Sequence, residues 1–154
     1  MTSHSVIFRT ARFSDLPAIV ALLADDKLGS QRENVGPPLD ERYVAAFNAI
    51  AADPNQHLVV ATEGDTVVGT LQLSFIPGIA RTGAWRGQIE GVRIGASLRG
   101  TGIGQQMIEW AIEACRSRGC EIVQLTMDKT RTDAHRFYEK LGFKASHEGY
   151  KLAL

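Results

Sequence analysis

Cysteine is scarce in this 154-residue chain: there are two, Cys115 and Cys120, too few for the disulfide framework that staples small secreted folds. They flank Gly119, a predicted helix end, and read as buried or partly buried free thiols of a reducing compartment. No apolar run approaches the roughly 20 residues that cross a bilayer. The leading Val6-Ile7-Phe8 is also too short for the core of a signal peptide. The expected location is therefore the cytoplasm, with no membrane partner. Net charge is missing too, with 17 Lys+Arg set against 17 Asp+Glu. Counterion release from nucleic acid needs a basic surface, so no nucleic-acid partner is expected, although Arg81, Arg86, Arg93 and Arg99 lie close together in sequence. The four histidines have no cysteine or carboxylate partner pattern around them, so no metal is expected.

What is present is the ordinary mix of a globular domain, 44% hydrophobic and 22% charged residues, enough for one hydrophobic core. Repeats, low-complexity tracts and linkers are absent, and residues 1–154 read as a single domain. Residues 6–9 suit a strand. Ser14-Asp15 offers an N-cap, with Pro17 in the first helical turn. Leu16, Ile19, Val20, Leu22 and Leu23 carry helical periodicity to about Asp26. Residues 27–39, rich in glycine and proline, read as a long loop, the kind that often walls a pocket. Asp40 caps a second helix that ends at Asp53-Pro54-Asn55. Strands are predicted over 57–62, 66–75, 88–94 and 121–127, with helices over 101–118 and 132–141. Residues 143–154 are expected to supply one or two closing strands. The pattern is α/β with a mixed sheet.

The segment carrying most chemistry is Arg99-Gly100-Thr101-Gly102-Ile103-Gly104, between a predicted strand and a predicted helix. The first turn of a helix leaves amides unpaired, and the helix dipole adds partial positive charge there. Glycines remove the Cβ atoms that would hold a diphosphate off those amides, and Arg99 can add a charge-assisted bond. A P-loop would need a lysine after its last glycine, and none follows. A dinucleotide fingerprint would need glycine where Gln105 stands. The pattern R-x-x-G-x-G fits at every fixed position. A tight strand–helix turn using glycine only for close packing would read the same way.

This turn, followed about 30 residues later by Thr132-Asp133-Ala134-His135-Arg136-Phe137-Tyr138-Glu139-Lys140-Leu141-Gly142-Phe143, resembles the GNAT superfamily of acyl-CoA-dependent N-acetyltransferases. The resemblance covers nearly the whole chain. It implies a mixed, largely antiparallel sheet of six to seven strands, flanked by about four helices and splayed between strands 4 and 5. It also implies acetyl-CoA as co-substrate. The pantetheine arm would lie along Val92, Arg93 and Ile94, with a backbone N–H near Val92 as oxyanion donor. The pyrophosphate would rest on Arg99 and on the amides of Gly100, Thr101, Gly102, Ile103 and Gly104. Glu90, two residues before the oxyanion donor, is the candidate base for the attacking amine, and Tyr138 the candidate acid for the leaving thiolate. Glu90 also reads as a strand-face carboxylate paired with an arginine such as Arg86. Tyr138 also reads as part of an apolar face made with Ala134, Phe137 and Leu141. The chain departs from the family at Arg131, where many members place a pantetheine-contacting asparagine. Asp133 could substitute there or simply act as an N-cap.

The acceptor pocket is expected from residues 27–39, 78–86 and the closing strands, which bring Arg32, Glu33, Asn34, Arg81, Trp85 and Arg86. Arginines beside an aromatic suit a small primary amine that carries an anion, such as an aminoalkylphosphonate or amino acid. Residues 133–138 with Ser146-His147 also resemble family members that act on aminoalkylphosphonates. Rival readings are a protein or peptide amine as acceptor and, outside enzymes, a CoA-binding sensor or inactive interaction module. His135 and His147 are secondary base candidates that read more simply as surface residues. His57 reads as the start of a strand. The resemblance is compatible with a homodimer.

Overall fold

The computed structural model describes residues 5–154, and residues 1–4, which precede the first strand, lie outside it. The chain divides into two compact units, one ending at Gln124 and one spanning Leu125–Leu154.

In the first unit, β1 (Val6–Thr10) leads through a 3-10 turn at Phe13–Asp15 into α1 (Leu16–Ala24). Asp15 precedes α1, as the sequence suggests, but its carboxylate does not bond the amides of α1. It accepts two bonds from the Arg9 guanidinium at 2.7 and 3.0 Å and the Arg12 N–H at 2.7 Å. The ion pair draws the carboxylate back toward β1 and clamps strand to helix. Residues 27–39 are not wholly loop, because a short α2 (Gly29–Arg32) interrupts them. A Cβ on Gly29 would lie 1.8 Å from the Leu23 carbonyl oxygen, so only glycine lets this turn fold against α1. Asp40 does cap α3 (Glu41–Ala52), accepting the Arg42 N–H at 2.9 Å.

Strands β2 (Gln56–Glu63), β3 (Thr66–Ile76) and β4 (Arg86–Ile94) follow, with the four-residue turn α4 (Ala80–Gly83) before β4. Then come a 3-10 turn at Ala96–Leu98, α5 (Ile103–Ser117) and β5 (Ile122–Leu125). The sheet order is β1-β2-β3-β4-β5, and the first three pairings are antiparallel. β5 runs parallel to β4. The Glu121 N–H donates to the Trp85 carbonyl at 3.0 Å and Gln124 Nε2 to Gln88 Oε1 at 2.8 Å, advancing together along both strands. β5 has four residues and β4 nine, so β4 from Glu90 onward continues past it.

The register assigns two faces. Phe8, His57, Leu73, Gly87 and Ile89 share one, and α5 packs on it: Trp110 meets the rings of Phe8 and His57. Gly87 is obligatory there, since a Cβ would sit 2.2 Å from Cys115 Sγ. Cys115 is buried, and that burial pushes its thiol up to about 11; both cysteines are free, as expected. The other face carries Val60 in a cluster with Ala11 and Ile19, against which Leu23, Phe47, Leu58 and Val67 pack.

One irregularity in β4 shapes everything beyond it. Thr70 pairs with Arg93 and Gln72 with Glu90, so Gly91 and Val92 together oppose the single residue Leu71. Gly91 has φ +61°, a conformation that glycine reaches without steric penalty. The result is a β-bulge, which bends a strand and leaves a backbone group outside the ladder.

In the second unit, α6 (Thr132–Lys140) is the principal element. Its end explains the L-G-F signature. Gly142, at φ +94°, turns the chain; the Phe143 N–H donates to the Tyr138 carbonyl at 3.1 Å and the Gly142 N–H to Glu139 at 3.0 Å. These are the two bonds of a Schellman cap, and the Phe143 ring lies edge-on to Tyr138 at 5.7 Å, the apolar contact that accompanies it. Asp133 is not the N-cap; Arg131 holds that position and Asp133 lies in the first turn.

The expected six to seven strands become five among the described residues, because residues 143–154 form none. Tyr150, Leu152 and Leu154 alternate as a strand would, but they are exposed, and alternation creates a strand only where a neighbour takes the ladder bonds. Four helices are long, as expected, and α2 and α4 add two single turns.

Two stability changes are expected. Asp15→Ala should lower the unfolding free energy by about 2–4 kcal/mol, because it strands the Arg9 cation. The bond from Arg9 holds the Asp15 carboxyl below its ordinary value. Its stabilisation is therefore fully present above the unfolded-state pKa, about 4, and is lost as pH falls through the lower folded value. Urea melts at pH 7 and pH 3 should show the gap between wild type and Asp15→Asn narrowing in acid. Gly91→Ala should cost about 1–2 kcal/mol through backbone strain alone, since the nearest atom to its new Cβ is Leu23 Cδ2 at 3.8 Å. Thermal unfolding would measure it.

Candidate active site

β4 leaves the sheet through Gly95 and the 3-10 turn and reaches Arg99-Gly100-Thr101-Gly102. Gly100 has φ +80° and Gly102 φ +90°, both in the left-handed region. A Cβ on either would meet nothing within 4 Å, so the glycines relieve backbone strain and keep open the space in front of the helix. The first α-helical bond of α5 runs from the Gln106 N–H to the Gly102 carbonyl at 3.1 Å. The amides of Ile103, Gly104 and Gln105 precede it and have no partner inside the helix. Thr101 differs from the rest of the turn. Its N–H donates to the Leu98 carbonyl at 3.3 Å and its hydroxyl to the same oxygen at 2.5 Å, so it braces the turn from within.

Arg99 bonds the Ile94 carbonyl at 3.2 Å and reaches Asp25, the residue after α1, at 3.3–3.4 Å. Arg93 donates to the Val92 carbonyl at 2.8 Å and pairs with Asp26 at 3.5 Å. The arginines thus pin the end of α1 to the end of β4 and to the stretch that follows it. Leu22 and Leu23 lie 3.9 and 3.8 Å from where Cβ atoms on Gly95 and Gly91 would stand.

Glu90 is exposed and sits one residue before the bulge. Among the described residues Glu90 does not pair with Arg86; its carboxylate accepts from Gln88 Nε2 at 2.5 Å. Arg86 lies on the same strand face at the far end of β4, and its Nε is buried without a hydrogen-bond partner. Val92 and Ile94 follow the bulge and are half-buried. The structure thus gathers Glu90, Val92, Arg93, Ile94 and the glycine turn on one continuous strand–turn–helix path. Tyr138 belongs to the second unit. There its ring packs edge-on between Phe137 at 5.0 Å and Phe143 at 5.7 Å, on the apolar face that the periodicity implies.

Of the residues expected in the acceptor loops, Glu33 and Asn34 are tied to α3. The Tyr43 hydroxyl donates to Glu33 at 3.1 Å and accepts the Asn34 N–H at 2.9 Å, and Asn34 Nδ2 reaches Asp40 at 3.2 Å. Arg32 and Arg81 are exposed. Arg81 and Thr82 hold left-handed φ values of +57° and +61°, a strained turn that fixes where residues 81–85 project. His135 is half-buried, not exposed as the sequence suggests, and His147 bonds Ser146 at 2.7 Å. His57 bonds the Thr10 hydroxyl at 2.9 Å beside Trp110, and burial pushes its pKa down. No cluster of His, Cys, Asp or Glu able to hold a metal occurs among the described residues, nor does a helix long and apolar enough to cross a membrane.

Sequence reasoning missed the amides of Gln56, Gln72, Gln88 and Gln124. The only signal was alternation, Gln72-Leu73-Ser74 and Gln88-Ile89-Glu90, which sets polar groups on one strand face.

Comparison with known proteins identifies the family. The family described as "Acetyltransferase (GNAT) family" matches residues 17–143. An aminoalkylphosphonate N-acetyltransferase of Salmonella typhimurium is 36% identical over 70% of each chain. A glucosamine 6-phosphate N-acetyltransferase of Trypanosoma brucei brucei is 38% identical over 57% of this chain and 58% of its own. Among solved structures, one titled a transcriptional regulator from Bacillus halodurans C-125 superposes with a TM-score of 0.95 at 51% identity, over 97% of this chain and 99% of that one. The chain belongs to the GNAT acetyltransferase family and is a GNAT-type acyltransferase.

Proposed function

We propose that this enzyme transfers the acetyl group of acetyl-CoA to the primary amine of a small molecule bearing an anionic group, by direct attack in a ternary complex. The observation that carries the proposal is the head of α5, whose first amides have no partner within the helix, next to Gly100 and Gly102, where Cβ atoms would meet nothing within 4 Å. A diphosphate supplies the acceptor oxygens such amides need. Gly100, Gly102, Ile103 and Gly104 would contact it, Thr101 would hold the turn, and Arg99 would add charge by leaving Asp25. The two named relatives act on aminoalkylphosphonate and glucosamine 6-phosphate, both amines that carry a phosphorus oxyanion. Arg81 and Arg86, flanking Trp85, are the cations proposed for that anion.

The chemistry follows from the strand. An alkyl ammonium has a pKa of roughly 10 and must lose a proton before it attacks. Glu90 accepts that proton, directly or through water. The pantetheine lies along Val92, Arg93 and Ile94, where β4 has outrun β5. The amide at the bulge, near Val92, donates to the oxyanion that forms as nitrogen adds to the thioester carbon. Carbon–sulfur cleavage expels CoA thiolate, Tyr138 supplies its proton, and the second proton, released by the acylated nitrogen, passes through solvent to restore the phenol. Residues 1–154 are proposed to work as one catalytic domain in the cytoplasm.

Calorimetry with CoA, and thiol release from acetyl-CoA with an amine panel, test the reading. The panel should include an aminoalkylphosphonate, glucosamine 6-phosphate, amino acids and a lysine peptide. Turnover only with the peptide would move the acceptor to proteins. CoA binding with no turnover would leave a sensor, and failure to bind CoA would remove the proposal. Tyr138→Phe should lower kcat by about 10²–10⁴-fold while CoA affinity changes little. Glu90→Gln should lower kcat near neutral pH, with the deficit shrinking as the pH approaches the amine's own pKa. A pH–rate profile that parallels wild type would assign the base elsewhere.

A further inference from the structure

The polar face of β4 continues across three neighbouring strands. The register places Gln56 opposite Ser74, Ser74 opposite Gln88, and Gln72 opposite Glu90. Gln124 on β5 joins the same row through its bond to Gln88. These groups lie in the middle of a sheet whose opposite face is packed under α5, and Ser74 is buried.

An amide side chain donates from nitrogen and accepts at oxygen, so each bond in the row fixes the orientation of the next group. Gln124 Nε2 donates to Gln88 Oε1 at 2.8 Å. That acceptance turns Gln88 Nε2 toward Glu90, where it donates to Oε1 at 2.5 Å. Gln72 stands across from Glu90 yet points the other way. Its Nε2 donates to Gln56 Oε1 at 2.9 Å, and the Ser74 hydroxyl donates to the same oxygen at 2.9 Å. The donor chain Gln124→Gln88→Glu90 is therefore one-directional and ends on the carboxylate. Were Gln88 to flip, its oxygen would face the acceptor Glu90 Oε1 and its nitrogen would face the Gln124 nitrogen, losing both bonds.

We propose that Gln88 and Gln124 are positioning residues that set the Glu90 carboxylate for proton abstraction from the acceptor amine. The inference rests on Glu90 being the base. Gln88 holds one carboxylate oxygen, which leaves the other for the substrate, and Gln124 holds Gln88 in its donating orientation. Neither glutamine touches the reacting atoms. A carboxylate displaced by an ångström loses much of the benefit of proximity, an effect on the scale of 10²-fold in rate.

Gln88→Met and Gln124→Met keep side-chain volume while removing the bonds, and Gln88→Asn gives a shorter amide as a second probe should Gln88→Met fail to fold. Initial rates with saturating acetyl-CoA should fall about 10–100-fold in kcat for Gln88→Met and less for Gln124→Met. KM for acetyl-CoA and the affinity for CoA by calorimetry should be unchanged. The deciding measurement is a double-mutant cycle with Glu90→Gln. In that background Gln88→Met should cause no further loss, because the group it positions is gone. An equal loss in both backgrounds, or a loss confined to KM or thermal stability, would overturn the positioning role while leaving Glu90 as the base. If Glu90→Gln alone leaves kcat unchanged, the base assignment itself fails, and this inference fails with it.

Discussion

The bulge at Gly91-Val92 is the constraint on which the rest of the first unit depends. Before it, β4 is paired on both edges, with β3 and with the short β5. After it, β4 keeps β3 and outruns β5. β5 stops pairing with β4 at about Glu90, and one extra residue bends β4 just after that point. The left-handed φ of Gly91 makes this possible without steric cost. The arginines that follow, Arg93 and Arg99, then tie the open stretch to Asp26 and Asp25, so the path toward α5 is held by charge where it is no longer held by a second strand.

The sheet divides its two faces by what covers them. Under α5 the side chains are mainly apolar, with the bonded Thr10–His57 pair among them, and packed closely enough that a Cβ on Gly87 would sit 2.2 Å from Cys115 Sγ. On the opposite face, α1 packs toward β3 and β4 and α3 packs on β2, through Ile19, Leu23 and Phe47, and there the strands present Val60 and Leu58. At the end of β2, β3 and β4 where β5 joins, the same face turns to glutamine, serine and glutamate. A buried or half-buried amide costs free energy unless its bonds are made, and here the bonds are made chiefly to one another.

Much of this was legible in the sequence. The glycine turn, the strand before it and the amphipathic helix after it follow from local pattern, and Gly142 announces the end of α6 as surely as its φ confirms it. The resemblance to a known family carried the co-substrate and the candidate roles of Glu90 and Tyr138. What was not legible depends on pairing. Residues 143–154 alternate like a strand and form none, because a ladder needs a neighbour that no local pattern can supply. The bulge was invisible because Gly91 reads equally well as an ordinary strand glycine until Leu71 is known to face it. Asp15 looked like a cap, but a cation six residues earlier took its carboxylate. The glutamine row needed the register of four strands before its members could be seen as one network.

The Schellman cap of α6 has a meaning beyond stopping a helix. Tyr138 supplies the carbonyl that accepts the reversing chain, and the residue delivered by that reversal, Phe143, comes to rest against the Tyr138 ring. With Phe137 on another side, the phenol is braced by the same turn that its own backbone closes. Rotation of the ring about its first side-chain bond would have to push against the chain reversal, so the direction of the hydroxyl is built into the folding of a loop. The L-G-F triplet is, on this view, an aiming device for the tyrosine that precedes it.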